Sequence, residues 1–178
     1  MTQEVGRDLW GTNLKDDIIL YFSSRGGEVS KPDVIAPGAC ASTVPNFVDW
    51  DRFWGTSMAS PYTAGVMSLL LSAAKVEFPD IKIPSKLLYR VVKESAVKMN
   101  QYQDIDQVGG YINVINAYEL LKKYLNNNAV NTFETYTTKA LSPNMPSNTA
   151  PNIYLRDARY LEKDNSFRVS LSRDNFSN

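Results

Sequence analysis

The chain has 178 residues, 43% hydrophobic and 21% charged, with 19 basic side chains against 19 acidic ones. That length and composition fit a folded protein with one sizeable core and room to begin a second unit. The even charge, with no block of like sign, argues against a nucleic-acid footprint and against a polybasic membrane patch, which leaves small neutral molecules or peptides as the expected partners. The lone Cys40 excludes an intramolecular disulfide and a cysteine-built metal cluster, and it is expected to be a small buried apolar side chain. There is no histidine.

Along the chain, MTQEVGRDLWGTNLKDD is polar and lacks the apolar core of a signal peptide; if the parent protein is exported, the address lies elsewhere. DIILYF at 17 to 22 has the composition of a strand, and SSRGG then turns the chain. KPDVIAPGACAST predicts a brief strand or buried loop, because Pro32 and Pro37 cannot donate to a ladder. VPNFVDWDRFW is aromatic and turn-prone. A helix is expected from about Met58 to Lys75, where Ala64, Val66, Met67, Leu69, Leu70, Leu71, Ala73 and Ala74 cover nearly every face, so it should be buried in the middle of a domain. Its VMSLLL run is the longest apolar one, far short of the roughly 20 residues a membrane span needs.

Two amphipathic helices follow and are expected to form outer layers. Ser85 can cap one carrying Leu87, Leu88, Val91, Val92 and Ala96, and Asn113 another carrying Ala117, Leu120, Leu121 and Tyr124. Between them Gly109-Gly110 permits positive φ or close backbone approach before the strand-like YINV. From Asn126 the texture becomes polar with three prolines and then alternates apolar and charged residues. The expected division is 1–125 as one domain piece, 126–151 as a linker and 152–178 as the start of a β-rich region.

Residues 55 to 65, GTSMASPYTAG, carry the chemistry. A serine hydroxyl is a weak nucleophile until a base, most often histidine, lies within hydrogen-bond reach. With Ser57 at the mouth of the long helix, unpaired first-turn N–H groups and the helix dipole would stabilise an oxyanion, the Ser57 N–H being the obvious donor. Gly55 and Ala59 leave room for a carbonyl to approach. The plainer alternative is that Thr56 or Ser57 simply caps the helix. The two readings separate at Gly55→Val: on the catalytic one turnover should fall with little change in melting temperature, while Thr56→Ser should be mild.

GTSMASP followed by a small-residue helix resembles the nucleophile segment of the subtilisin-like serine peptidases. FSSRG at 22 to 26, PDVIAPG at 32 to 38 and the closing GGYINVINAYELL occur in the order of that family, and the resemblance covers roughly 17 to 125. It implies an α/β fold, the C-terminal part of a three-layer domain with a parallel sheet, and Ser57 as the acyl-forming nucleophile, supported by Gly55 and Thr56. Most members follow the proline with histidine and valine, where this chain has Tyr62 and Thr63. That histidine is a helix residue in the family and not the catalytic base.

In subtilisin the triad runs Asp, His, Ser along the chain. Only 56 residues precede Ser57, so the base, its carboxylate and the oxyanion asparagine are expected on an absent upstream segment, and the chain alone is expected to be inactive. STVPNF at 42 to 47 and NIYLRD at 152 to 157 resemble the tripeptidyl-peptidase II group of this family, which would imply an intracellular exopeptidase; otherwise an exported endopeptidase is implied. A competing reading is a non-catalytic interaction module on a degenerate scaffold. The expected partners are a peptide or protein substrate, the missing part of the domain and a second copy of the chain. No nucleic acid, membrane, cofactor or metal is expected, and Asp49 with Asp51 and Asp104 with Asp106 read as solvated turn residues.

Overall fold

The computed structural model describes residues 2, 3, 6, 7, 11, 13–27, 29–41, 52–130, 136–141, 149, 150, 153 and 167–173. The chain is a mixed α/β structure. Strands β1 (Ala39–Ala41) and β2 (Arg52–Trp54) lead into helix α1 (Thr56–Glu77), followed by α2 (Ser85–Glu94), the single turn α3 (Asp104–Gln107) and α4 (Val114–Asn126). Strands β3 (Tyr136–Leu141), β4 (Thr149–Ala150) and β5 (Val169–Arg173) complete the order.

The core is helical. α1 contributes Val66, Leu70 and Ala74 and α4 contributes Ala117, Leu121 and Leu125, each set spaced by four residues so that it forms one stripe. α2 supplies Leu87, Leu88, Val91 and Val92 between them, and Val34 and Ala36 of the PDVIAPG segment pack against the same cluster. Coverage of α1 is one-sided, contrary to the expectation of a helix buried all round. Leu69 is 66% and Val76 81% exposed, and Ala64 is exposed too. Two helices lying along a third cover only one part of its circumference, and among the described residues no element lies over the rest.

Local details follow their chemistry. Asn113 caps α4, its Oδ1 accepting from the Asn116 N–H at 3.0 Å. α2 is led by Pro84 with φ −68° and not by Ser85, which is already helical; the fixed proline φ sets the chain direction without a side-chain cap. Ala96 lies beyond its end. The paired glycines divide their work: Gly110 holds φ +117°, whereas a Cβ on Gly109 would stand 2.6 Å from the Asp33 carbonyl oxygen.

The stretch 17–22 is not a strand. Strand formers need a partner ladder, and this backbone meets side chains instead: the Ile19 N–H donates to Tyr102 Oη at 2.9 Å, and the Asp17 carbonyl accepts from Gln101 Nε2 at 2.8 Å. A turn closes it, with the Ser23 N–H on the Leu20 carbonyl. Among the described residues the expected parallel pairing is confined to one bridge, Ile35 with Tyr111, and Tyr111 also bridges Val97 antiparallel. The two sheets of the described residues, β1-β2 and β4-β3-β5, are antiparallel. RFW at 52 to 54, taken with the turn-prone stretch, is strand β2, and 42–51 lie outside the described residues. β3 and β4 fall within 126–151, and β5 lies within 152–178. Asp106 caps α3 through the Gln103 N–H at 2.9 Å and pairs with Arg25 at 3.1 Å, so it is more than a solvated turn residue. Asp49 and Asp51 lie outside the described residues.

Candidate functional site

The β1-β2 ladder delivers the serine. Its register pairs Ala41 with Arg52, Cys40 with Phe53 and Ala39 with Trp54. One step further the Gly55 N–H donates to the Gly38 carbonyl at 2.6 Å, and there the chain turns into α1. Gly55 is the N-cap, with φ +147° and ψ 175°, a left-handed-side conformation that a side chain would strain. Cys40, expected to be buried, is exposed on β1, because the short ladder presents it away from the helical core.

Ser57 is exposed in the first turn of α1. The Gly55 carbonyl takes the Met58 N–H at 3.1 Å and the Ala59 N–H at 3.4 Å. The Thr56 and Ser57 N–H groups meet no acceptor among the described residues, and no side chain caps the helix. The first turn also carries no acidic residue. Two donors without an acceptor among the described residues therefore stand at the positive end of a 22-residue helix whose own first turn carries no carboxylate. Pro61 lies inside α1 and lacks the N–H that would reach the Ser57 carbonyl, so the regular helix pairing is missing at that step. Of the residues that follow, Tyr62 is 47% exposed and the Thr63 hydroxyl donates to the Ala59 carbonyl at 3.0 Å.

A cavity of about 240 Å³ lies beside this turn, lined in part by Gly38, Gly55, Thr56, Ile35 and Tyr111. The Tyr111 hydroxyl is pushed up to about 12, by burial first and then by the negative charge of Asp17 and Tyr62. On the far side of PDVIAPG, burial raises the Asp33 carboxyl, but hydrogen bonds from Lys31, Tyr89 and Lys93 outweigh it and hold it below the ordinary carboxylate value. Asp33 Oδ1 meets Lys93 Nζ of α2 at 3.3 Å, which ties the segment carrying Gly38 to the core helices.

Gly55, Thr56 and Ser57 are thus contiguous at one helix mouth. Gly38, which closes PDVIAPG, lies against Gly55 as well, a contact that no local pattern in the sequence marks. Among the described residues, no group of three or more His, Cys, Asp or Glu is placed to hold a metal ion, and no helix is long and apolar enough to cross a membrane. STVPNF lies wholly outside the described residues, as does NIYLRD apart from Ile153.

Comparison with known proteins gives a consistent set. The chain is 37% identical over 117 residues to pyrolysin of Pyrococcus furiosus, an alignment covering 58% of this chain and 8% of that protein. It is 33% identical over 120 residues to subtilisin-like protease SBT6.1 of Arabidopsis thaliana, covering 61% and 11%. To tripeptidyl-peptidase 2 of Drosophila melanogaster it is 32% identical over 93 residues, covering 51% and 6%. The chain therefore spans only about a tenth of the length of these curated relatives. No solved structure matches significantly. The model of the subtilase family matches residues 12–144, well over half of the chain and inclusive of the whole helix mouth, and on that match the chain belongs to the subtilase family.

Proposed function

We propose that this chain is the nucleophile-bearing part of a serine peptidase that cleaves peptide bonds through an acyl-enzyme on Ser57. The observation that carries the reading is the helix mouth: an exposed serine hydroxyl beside two N–H groups that meet no acceptor among the described residues, at the positive end of α1. Ser57 Oγ attacks the scissile carbonyl carbon, and its proton passes to a base. The carbonyl oxygen becomes an oxyanion that the Ser57 N–H and the helix dipole stabilise. Collapse expels the amine, which takes the proton from the base, and water then releases the acyl group by the same steps in reverse order of partners. The 178 residues contain no histidine, so the imidazole comes from outside them; the family's Asp, His, Ser order places the carboxylate there too, and the resemblance implies the same for the asparagine donor. Peptides or proteins are the substrates.

The test is turnover of a chromogenic peptide by the catalytically complete polypeptide. Ser57→Ala should lower it by about six orders of magnitude, the scale lost with a triad serine. Retained turnover would place the nucleophile elsewhere, and a complete polypeptide with no turnover at all would favour the interaction-module reading.

A further inference from the structure

We propose that Gly38 is a positioning residue for Ser57, acting through Gly55; this rests on Ser57 being the nucleophile. Gly38 is buried, and its carbonyl is held at one remove by the core. The Ile35 N–H donates to the Gly110 carbonyl at 2.8 Å, the Ile112 N–H donates to the Ile35 carbonyl at 2.9 Å, and Val34 and Ala36 pack into the helical cluster. From that mount the Gly38 carbonyl takes the Gly55 N–H at 2.6 Å, the last anchored contact before α1 begins.

The approach is close enough to depend on glycine. A Cβ on Gly38 would stand 3.1 Å from the Gly55 carbonyl oxygen and 3.9 Å from Ala59 Cβ. Gly38's own φ lies outside the left-handed region, so alanine there is not strained by its own backbone. Its effect falls on the neighbour. The Gly55 oxygen must give by a few tenths of an ångström, and that oxygen is the acceptor for Met58 and Ala59 in the first turn. Shifting it tilts the Gly55-Thr56 and Thr56-Ser57 peptide planes, which carry the two free N–H groups. Gly38 therefore sets where the oxyanion donors point without touching the substrate.

The experiment uses the catalytically complete polypeptide, with Gly38→Ala compared with wild type and Ser57→Ala. Donor misplacement should lower kcat on the order of 10- to 100-fold and weaken binding of a peptide boronic acid by a similar factor, with KM nearly unchanged. A purely structural role would instead lower the melting temperature and leave kcat per folded molecule and boronate affinity intact, which would overturn the proposal. Should Gly38→Ala not fold, amide hydrogen exchange on the wild type decides. The Gly55 N–H should exchange more slowly than those of Thr56 and Ser57, and equal exchange of the three would overturn the anchoring. Normal kinetics for Gly38→Ala with Ser57→Ala inactive sinks this inference alone, whereas an active Ser57→Ala sinks the reading beneath it.

Discussion

At the residue scale, Gly55 and Ser57 separate catalysis from capping. Because Gly55 holds φ +147°, Gly55→Val should destabilise by roughly 1–3 kcal/mol as well as abolish turnover. This revises the sequence-based expectation that melting would barely change, since a positive φ is a property of the folded turn. Ser57→Ala and Thr56→Ala should each stay within about 0.5 kcal/mol of wild type, because neither side chain caps α1. Calorimetry of the three variants checks the ranking. A loss of about 1 kcal/mol for Ser57→Ala would restore the capping alternative. Gln107 makes a different case. It is 1% exposed, its Oε1 accepts from the Met99 N–H at 2.8 Å, and its Nε2 donates to the Met99 carbonyl at 3.0 Å and the Tyr102 carbonyl at 2.9 Å. Gln107→Leu keeps the bulk and orphans those groups, so urea unfolding should show a loss of about 2 kcal/mol or more. A neutral outcome would mean that water reaches the loop. Neither Gln107 nor Gly38 was legible beforehand, because each matters through a backbone that folding brings alongside it.

At the element scale, the three longer helices were readable in position, whereas the single turn α3 and most extended segments were not. A stripe such as Ala117, Leu121 and Leu125 repeats within one stretch of chain, and Asn113 states its own cap. DIILYF satisfies strand composition, yet its Ile19 N–H and Asp17 carbonyl go to Tyr102 and Gln101, more than 80 positions away. No local pattern carries that information. Tyr111, where the Ile35 and Val97 bridges meet, gives the element-level prediction. Its hydroxyl ionises near 10.0 in the unfolded chain and at about 12 in the fold. Over that interval the unfolded state has shed a proton that the folded state keeps, so the stability is complete below pH 10 and is lost as pH rises toward 12. Denaturant midpoints should fall over this window in wild type and fall less in Tyr111→Phe. Identical alkaline limbs would contradict the burial of this hydroxyl.

At the scale of the whole molecule, the resemblance carried by GTSMASP, FSSRG and PDVIAPG implied an α/β fold, and the family match agrees. What composition could not show is how much apolar surface the 178 residues leave open. Leu69 at 66%, Val76 at 81% and Tyr21 at 89% exposure should make the chain bind an apolar dye and associate with itself as its concentration rises. Dye fluorescence and sedimentation test this together, and a monomer that binds no dye would mean that these side chains are covered in solution. The central claim is that Ser57 becomes a nucleophile only when a base from outside these residues is present. Its most direct test is a fluorophosphonate reaction followed by mapping of the adduct by mass spectrometry, on the catalytically complete polypeptide and on the 178-residue chain in parallel. The account predicts one adduct, on Ser57 of the complete polypeptide, with the 178-residue chain reacting no faster than an ordinary serine; an adduct on another serine, or equal rates for the two, would contradict it.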